Sequence, residues 1–309
     1  MTDTQLSSRR GAPDDRTPTT PVAVLSPGQV AWRRALKHGG FWIGGGILLL
    51  IVLAAIAAPL LAPYDPATQS LGHRFVPPVW NVDGSTAHLL GTDSLGRDVL
   101  SRLIFGARTS VMLGVLTVLV SGFIGVSLGL AAGYFGGWVD LAVNFVINIR
   151  LTLPVVLVAL VVVAVMGNSL LLLVMVIGLL LWDRFAIVTR SATQALVGRE
   201  FVTSARTIGS STPRIVLREI LPNITGPLVV VASVELAHAI LLEASLSFLG
   251  LGVQPPLVSW GLMISEAKSQ LMFRPWMIAI PGVALVLLIL AINLLGDALR
   301  DITTPEGKA

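Results

Sequence analysis

The chain has 309 residues, of which 54% are hydrophobic and 12% charged, and its mean hydropathy is +0.83. Soluble domains carry about 25% charged residues, so this composition specifies a polytopic membrane protein. The absence of cysteine excludes disulfides, thiolate metal sites and cysteine nucleophiles. The net charge of +4 is small, and the arginines flank apolar runs rather than forming a basic stripe with aromatics, which argues against nucleic-acid binding.

Residues 1–27 are rich in Thr, Pro, Ser, Asp and Arg and read as a disordered tail. Residues 28–40 then predict a short amphipathic helix on the membrane surface. Ser26 is placed to cap it, Pro27 suits its first turn, and Arg33, Arg34 and Lys37 would face anionic headgroups.

The first span is expected over Phe41–Ala62, 22 residues without a charge. About 20 apolar residues at a 1.5 Å rise cross a bilayer core of roughly 30 Å. A cleaved leader would have a shorter apolar core, about 7–15 residues. Further spans are expected over Ser110–Gly133 and about 144–166, 169–189, 224–249 and 276–295, giving an all-α protein with six transmembrane helices. Gly129 and Gly133 in the second span are spaced for close helix contact.

Lys and Arg set the orientation. Six lie in the first 40 residues and six more between Arg184 and Arg218. The 63–109 segment has four, offset by Asp65, Asp83, Asp93 and Asp98. The positive-inside bias therefore puts both termini and the 199–222 loop in the cytoplasm.

That loop carries two helix-like patches joined at Gly209. Phe201, Val202, Ala205 and Ile208 recur at helical spacing in the first. In the second, Thr212 is placed to cap, Pro213 suits the first turn, and Pro222 should end the helix. Glycine at the junction permits a positive φ. The apolar stripe either packs on the ends of its own spans or docks into a partner.

No G-x-x-x-x-G-K-[ST] phosphate cradle, G-x-S-x-G elbow or H-E-x-x-H pair occurs, and His38, His73, His88 and His238 are scattered along the chain. No enzyme reading finds its parts, and the chain alone is expected to hydrolyse no ATP and to hold no cofactor or metal. Ionisable residues inside spans are costly, so Glu235, His238 and Glu243 should face the bundle interior or water. Glu235 and His238 share a helix face; they either line a solute path or hydrogen-bond to fix packing. Asp93, Arg97, Asp98 and Arg102 recur at three- and four-residue spacings, as on one short helix. They read either as a solvated face laced with ion pairs or as a docking surface for an external protein.

Thr203-Ser204-Ala205-Arg206, then Gly209, then Leu221-Pro222 resembles the cytoplasmic loop of ABC-importer permeases, whose pattern is E-A-A, three residues, G, then L-P. Thr203 and Ser204 stand where that pattern has Glu and Ala. "HLLGTDSLGRDVLSRLIFGARTSVMLG" (His88 to Gly114), "EASLSFLGLGVQPPLVSWG" (Glu243 to Gly261) and "NLLGDALRD" (Asn293 to Asp301) resemble the C-type permeases of the dipeptide/oligopeptide/nickel family. The resemblance runs from about Phe41 to Asp301. It departs from the family at Phe145, Asn148 and Ile187, where charged residues are common, while Arg150 and Asp183-Arg184 lie close by.

The resemblance implies a type I ABC-importer permease domain over 41–301, a coupling loop at 199–222 and a cytoplasmic tail at 302–309. It implies a heterodimer with a second homologous permease in the bacterial inner membrane. Two ATP-binding subunits would hold ATP and Mg, and an extracytoplasmic binding protein would deliver substrate. Glu235, His238, Glu243, Asn148 and Arg150 are the candidate path residues. The cargo expected is a dipeptide or oligopeptide, with nickel or another small solute as the alternative; a proton-coupled secondary transporter using Glu235 and His238 is the reading outside the family.

Overall fold

The computed structural model describes residues 35, 36 and 38–303. The tail expected over 1–27 and most of the surface helix expected over 28–40 lie outside the described residues. Among the described residues the regular structure is helical, apart from one isolated bridge between Thr92 and Asp98.

The helices are α1 (Gly39–Ile56), α2 (Ala58–Leu61), α3 (Val99–Phe135), α4 (Gly137–Thr152), α5 (Val155–Met166), α6 (Leu170–Leu180), α7 (Asp183–Val197), α8 (Glu200–Thr207), α9 (Thr212–Arg214), α10 (Thr225–Phe248), α11 (Trp260–Ala267) and α12 (Trp276–Thr303). α1, α3, α12 and the continuous run Thr212–Phe248 are each long and apolar enough to cross a membrane. The pairs α4–α5 and α6–α7 qualify only as bent spans, broken by 84° and 42°.

α3 is the central element. Its 37 residues, about 55 Å at 1.5 Å per residue, exceed the bilayer core. It begins at Val99, well before the expected Ser110, because Asp98 caps it by accepting from Ser101 N at 2.8 Å. Gly125, Gly129 and Gly133 form the stripe that meets α7. A Cβ at Gly129 would lie 2.6 Å from the Ala186 carbonyl oxygen, and one at Gly133 2.6 Å from Thr193 Cβ. Only a missing side chain allows this approach, which lets backbone dispersion replace side-chain packing.

α12 packs along α1 and α10. His38 Nε2 lies 3.1 Å from Asp301 Oδ2, so the start of α1 and the end of α12 share one face of the bundle. α12 runs on to Thr303, past the boundary at which a tail was expected to begin.

The two broken spans have local causes. Pro154 has no N–H to give and pushes the preceding residue out of the helical region, and Leu153 is accordingly extended at φ −89°, ψ 127°. The second break falls at Leu181 and Trp182, both buried. Irregular backbone at membrane depth is tolerated where it is buried in protein or lines a polar cavity. Both breaks border one cavity.

The 199–223 loop departs from expectation in its second half. Ser211, not Thr212, is the N-cap residue, with Pro213 in the first turn. Pro222 does not end the helix. The chain widens into a π-helical stretch at Ile215–Ile220, tightens to 3-10 at Leu221–Ile224 and enters α10. Proline clashes with the carbonyl four residues back, and the change of hydrogen-bond register absorbs that conflict without a stop.

Candidate functional site

The bundle has a cavity of about 340 Å3, lined by both charged and apolar side chains, between the two broken spans and α10. Arg150, Leu151, Val155 and Val156 line it at the first break, and Leu181, Asp183 and Arg184 at the second. Glu235, His238, Leu241, Leu242 and Ser245 line it from α10. Helical spacing places Glu235, His238, Leu242 and Ser245 on one face of that helix.

Its charges fall into two linked groups. Arg150 Nε lies 3.4 Å from Asp183 Oδ1, and Arg150 also donates to the Leu180 carbonyl. That carbonyl belongs to the last residue of α6, beside the second break. Arg184 Nε lies 3.3 Å from Glu235 Oε1, and His238 Nδ1 lies 3.4 Å from the same oxygen. Arg184 Nη1 is 3.3 Å from His238 Nδ1. Glu235 is 1% exposed, yet its Oε2 has no hydrogen-bond partner among the described residues. A buried carboxylate oxygen without a donor normally costs about 1–3 kcal/mol or more.

The cavity thus unites Arg150 with Glu235 and His238 from two parts of the sequence and adds Asp183 and Arg184 from a third. The signal for those two was their position: a charged pair inside an apolar span, directly after its break. Asn148 is exposed and does not line the cavity. Glu243 also lies away from it, 1% exposed. It accepts from Ser247 Oγ at 2.6 Å and from Ser259 Oγ at 2.9 Å. Ser259 in turn caps α11, accepting from Leu262 N at 3.1 Å. Glu243 therefore ties α10 to α11.

Asp93, Arg97, Asp98 and Arg102 do not share one helix and do not face solvent. Asp93 and Arg97 sit in a turn, Asp98 is the cap of α3, and only Arg102 lies within the helix. None is more than 6% exposed. Arg97 Nε donates to Asp93 Oδ2 at 2.7 Å, and Arg102 pairs with the same carboxylate. Arg97 Nη2 and Arg102 Nη2 reach Glu266 Oε2 of α11 at 2.8 and 2.7 Å. Asp98 Oδ1 pairs with His88 Nδ1 at 2.9 Å. These charges are spent inside the chain, so a protein docking here would meet their neighbours instead. Local spacing could not reveal Glu266, which lies far away in sequence.

His73 and His88 are brought together, with ring centroids 6.4 Å apart. Among the described residues, however, no group of three or more His, Asp or Glu side chains could hold a metal ion.

The 199–223 loop has two faces. Val202 and Ala205 are buried with Leu130, Ile215, Ile220 and Ile224, so the inner stripe packs on the ends of its own spans. Thr203, Ser204, Arg206, Gly209 and Pro222 are exposed, and Leu221 is half-buried. Ile208 is 82% exposed, and Phe201 and Leu217 are also on the surface. Gly209 has φ +80°, the left-handed value that turns α8 back towards α9.

These features define a class: an all-α, multi-span membrane protein whose broken helices frame a cavity lined by both charged and apolar side chains. Its fold is similar to that of the methionine ABC transporter MetNI in its inward-facing conformations, with a TM-score of 0.53 at 18% identity over 66% of this chain and 97% of that one. Residues 125–306 match the family described as binding-protein-dependent transport system inner membrane component, and residues 26–78 match the N-terminal TM domain of oligopeptide transport permease C. The chain is 39% identical over 292 residues to the dipeptide transport system permease protein DppC of Haemophilus influenzae, covering 94% of this chain and 99% of that one. It is 40% identical over 283 residues to the di/tripeptide transport system permease protein DppC of Pseudomonas aeruginosa, covering 92% and 93%. The chain belongs to the ABC-importer permeases, in the C-subunit group of the peptide-transport family.

Proposed function

We propose that this chain forms one half of the translocation path of an ATP-driven importer of dipeptides or oligopeptides in the bacterial inner membrane. A second, homologous permease completes the path. Two ATP-binding subunits bind and hydrolyse ATP beneath it, and an extracytoplasmic binding protein delivers the peptide. Each bent pair of helices acts as one span, making six, with both termini cytoplasmic. The meeting of His38 and Asp301 supports an even number of spans.

The observation that carries the reading is the cavity lined by Arg150, Asp183, Arg184, Glu235 and His238. Ionisable groups at membrane depth face an aqueous path or one another, and these five meet one another around a common cavity, which supports the reading. ATP binding would close the ATPase dimer, and the exposed face of α8 and Gly209 would move with it. The inner stripe on Leu130 and Ile224 joins that motion to α3 and α10. The spans then reorient around the cavity.

The pairing of His238 with Glu235 favours one second reading, a proton-coupled carrier. Reconstitution with the partner subunits in liposomes, with uptake of labelled dialanine followed against phosphate release, separates the two. Vanadate-sensitive uptake that requires the ATPase subunits supports the importer. Uptake indifferent to vanadate and driven by a proton gradient would overturn it.

A further inference from the structure

The charged groups of the cavity are not held alike. In the Asp93–Arg97–Glu266 cluster the ion pairs close to 2.7–2.8 Å, the usual range for charge-assisted hydrogen bonds of about 2.7–2.9 Å. In the cavity, Glu235 meets Arg184 only at 3.3 Å and His238 only at 3.4 Å, and both share a single oxygen. The other oxygen of this buried carboxylate has no partner. Arg184 is 54% exposed at its side chain, so its guanidinium has room to swing off Glu235. Arg150 lies equally far from its carboxylate, 3.4 Å from Asp183, but its side chain is only 14% exposed and its guanidinium is anchored on the Leu180 carbonyl.

The cavity thus offers one underused anion and one underused cation side by side. A ligand of a single sign would satisfy one and strand the other. A ligand bearing both signs a short distance apart would satisfy both by inserting between them. At 340 Å3 the space lies at the small end of small-molecule pockets, about 300–1,000 Å3. An extended dipeptide spans about 7 Å, a length that separates its two termini enough to meet both groups. The apolar lining from Leu151, Val155, Val156, Leu241 and Leu242 suits side chains of no particular charge.

Resting on the reading of this chain as a peptide permease, we propose that the cavity is a binding site for zwitterionic peptides with both termini free, in which Glu235 takes the terminal ammonium and Arg184 the terminal carboxylate. N-acetylation removes the cation and leaves Glu235 buried without its partner. C-terminal amidation removes the anion, so that with Glu235 taken by the ammonium Arg184 is left without a carboxylate. A site built to pair a polar group rejects the analogue that lacks it, because its own group is then left unpaired.

The test uses the assembled complex in lipid nanodiscs, without nucleotide or binding protein. Radiolabelled dialanine is bound at millimolar concentration in equilibrium dialysis and competed with unlabelled dialanine, N-acetyl-dialanine and dialanine amide. Both blocked peptides should compete at least tenfold more weakly than dialanine. Glu235→Gln should abolish the discrimination against the N-acetyl peptide and leave that against the amide. Arg184→Gln should do the reverse, and the charge-conserving Glu235→Asp and Arg184→Lys should keep both preferences, which separates recognition from misfolding. Equal competition by all three peptides in the unmodified complex, absence of dialanine binding, or ratios unmoved by either glutamine variant would overturn the assignment. Uptake of dialanine in proteoliposomes supplied with ATP and the binding protein is scored separately. Its loss in the unmodified complex would reject the peptide-permease reading, whereas normal uptake with flat competition ratios would reject only the zwitterion site.

Discussion

Arg97 donates to Glu266 at 2.8 Å, joining the turn before α3 to the short helix α11. Arg102 reaches the same carboxylate, and Asp93 pairs with both arginines from the other side. Two buried cations thus rest on two carboxylates. Removing one partner of a buried pair costs about 3–5 kcal/mol, because an uncompensated charge remains. Glu266→Ala should therefore destabilise the junction of the 63–98 segment with α11 by about that amount. Hydrogen exchange should rise at residues 92–102 and 260–267 while the other spans stay protected. Unchanged exchange there would mean that the cluster adds nothing to stability.

The α3–α7 contact is set by glycine. A Cβ at Gly129 would sit 2.6 Å from the Ala186 carbonyl, against backbone that has no flexible end to yield. Overpacking of this kind costs about 1–3 kcal/mol. Gly129→Val should insert normally, since the span stays apolar, but should lower the melting temperature of the purified complex. Gly122→Ala is a control on the same helix, because a Cβ there meets only ordinary contacts at 3.6 Å from Phe185. Equal melting of the two variants would refute the tight-contact account.

Glu243 gives a prediction that separates it from the cavity. Both of its bonded donors are hydroxyls, Ser247 and Ser259, and the latter caps α11. A side-chain hydrogen bond contributes about 0.5–1.5 kcal/mol. Glu243→Ala should loosen α11, detected as faster proteolysis or hydrogen exchange at residues 259–267. Peptide binding in the cavity should be retained by whatever fraction assembles. Lost binding with an unaltered α11 would put Glu243 in the path after all.

Much of the fold was legible in the apolar runs. Four long helices and two bent pairs fall where 20-residue stretches predict spans. Boundaries were legible only where a local signal marked them. The start of α3 escaped because its first turns carry Arg102 and Arg108; Arg102 is covered by the distant Glu266, and Arg108 is exposed. The turn at Gly209 was readable from one residue type. The passage through Pro222 was not, because helix termination is a local rule and the π-stretch before it is a tertiary accommodation. In the cavity, Glu235 and His238 stood out as charges in an apolar run. Asn148 stood out only as a departure from the family pattern; it is exposed and does not line the cavity, since a polar residue near a span's end does not reveal which face it occupies.

Gly209 supports the last prediction. Its φ is +80°, and a Cβ there would meet nothing within 4 Å. Substitution is therefore penalised by backbone conformation alone, without any clash. Glycine populates that region freely, asparagine tolerates it, and a β-branched residue is a clear outlier. Gly209→Val should strain the turn by about 1–3 kcal/mol. The strain can relax if α8 tilts, but Val202 and Ala205 hold its inner stripe on Leu130 and Ile215. The exposed face bearing Thr203, Ser204 and Ile208 would then be presented at the wrong angle, while the buried face resists. Insertion depends on the apolar runs and should be untouched. The variant should co-purify with the second permease, yet bind the ATPase subunits weakly or turn over ATP without transport. Gly209→Asn should fall between the variant and the native chain. Uptake and phosphate release measured together in liposomes would decide it, and an unchanged ratio of peptide to ATP for Gly209→Val would remove this loop from the coupling path.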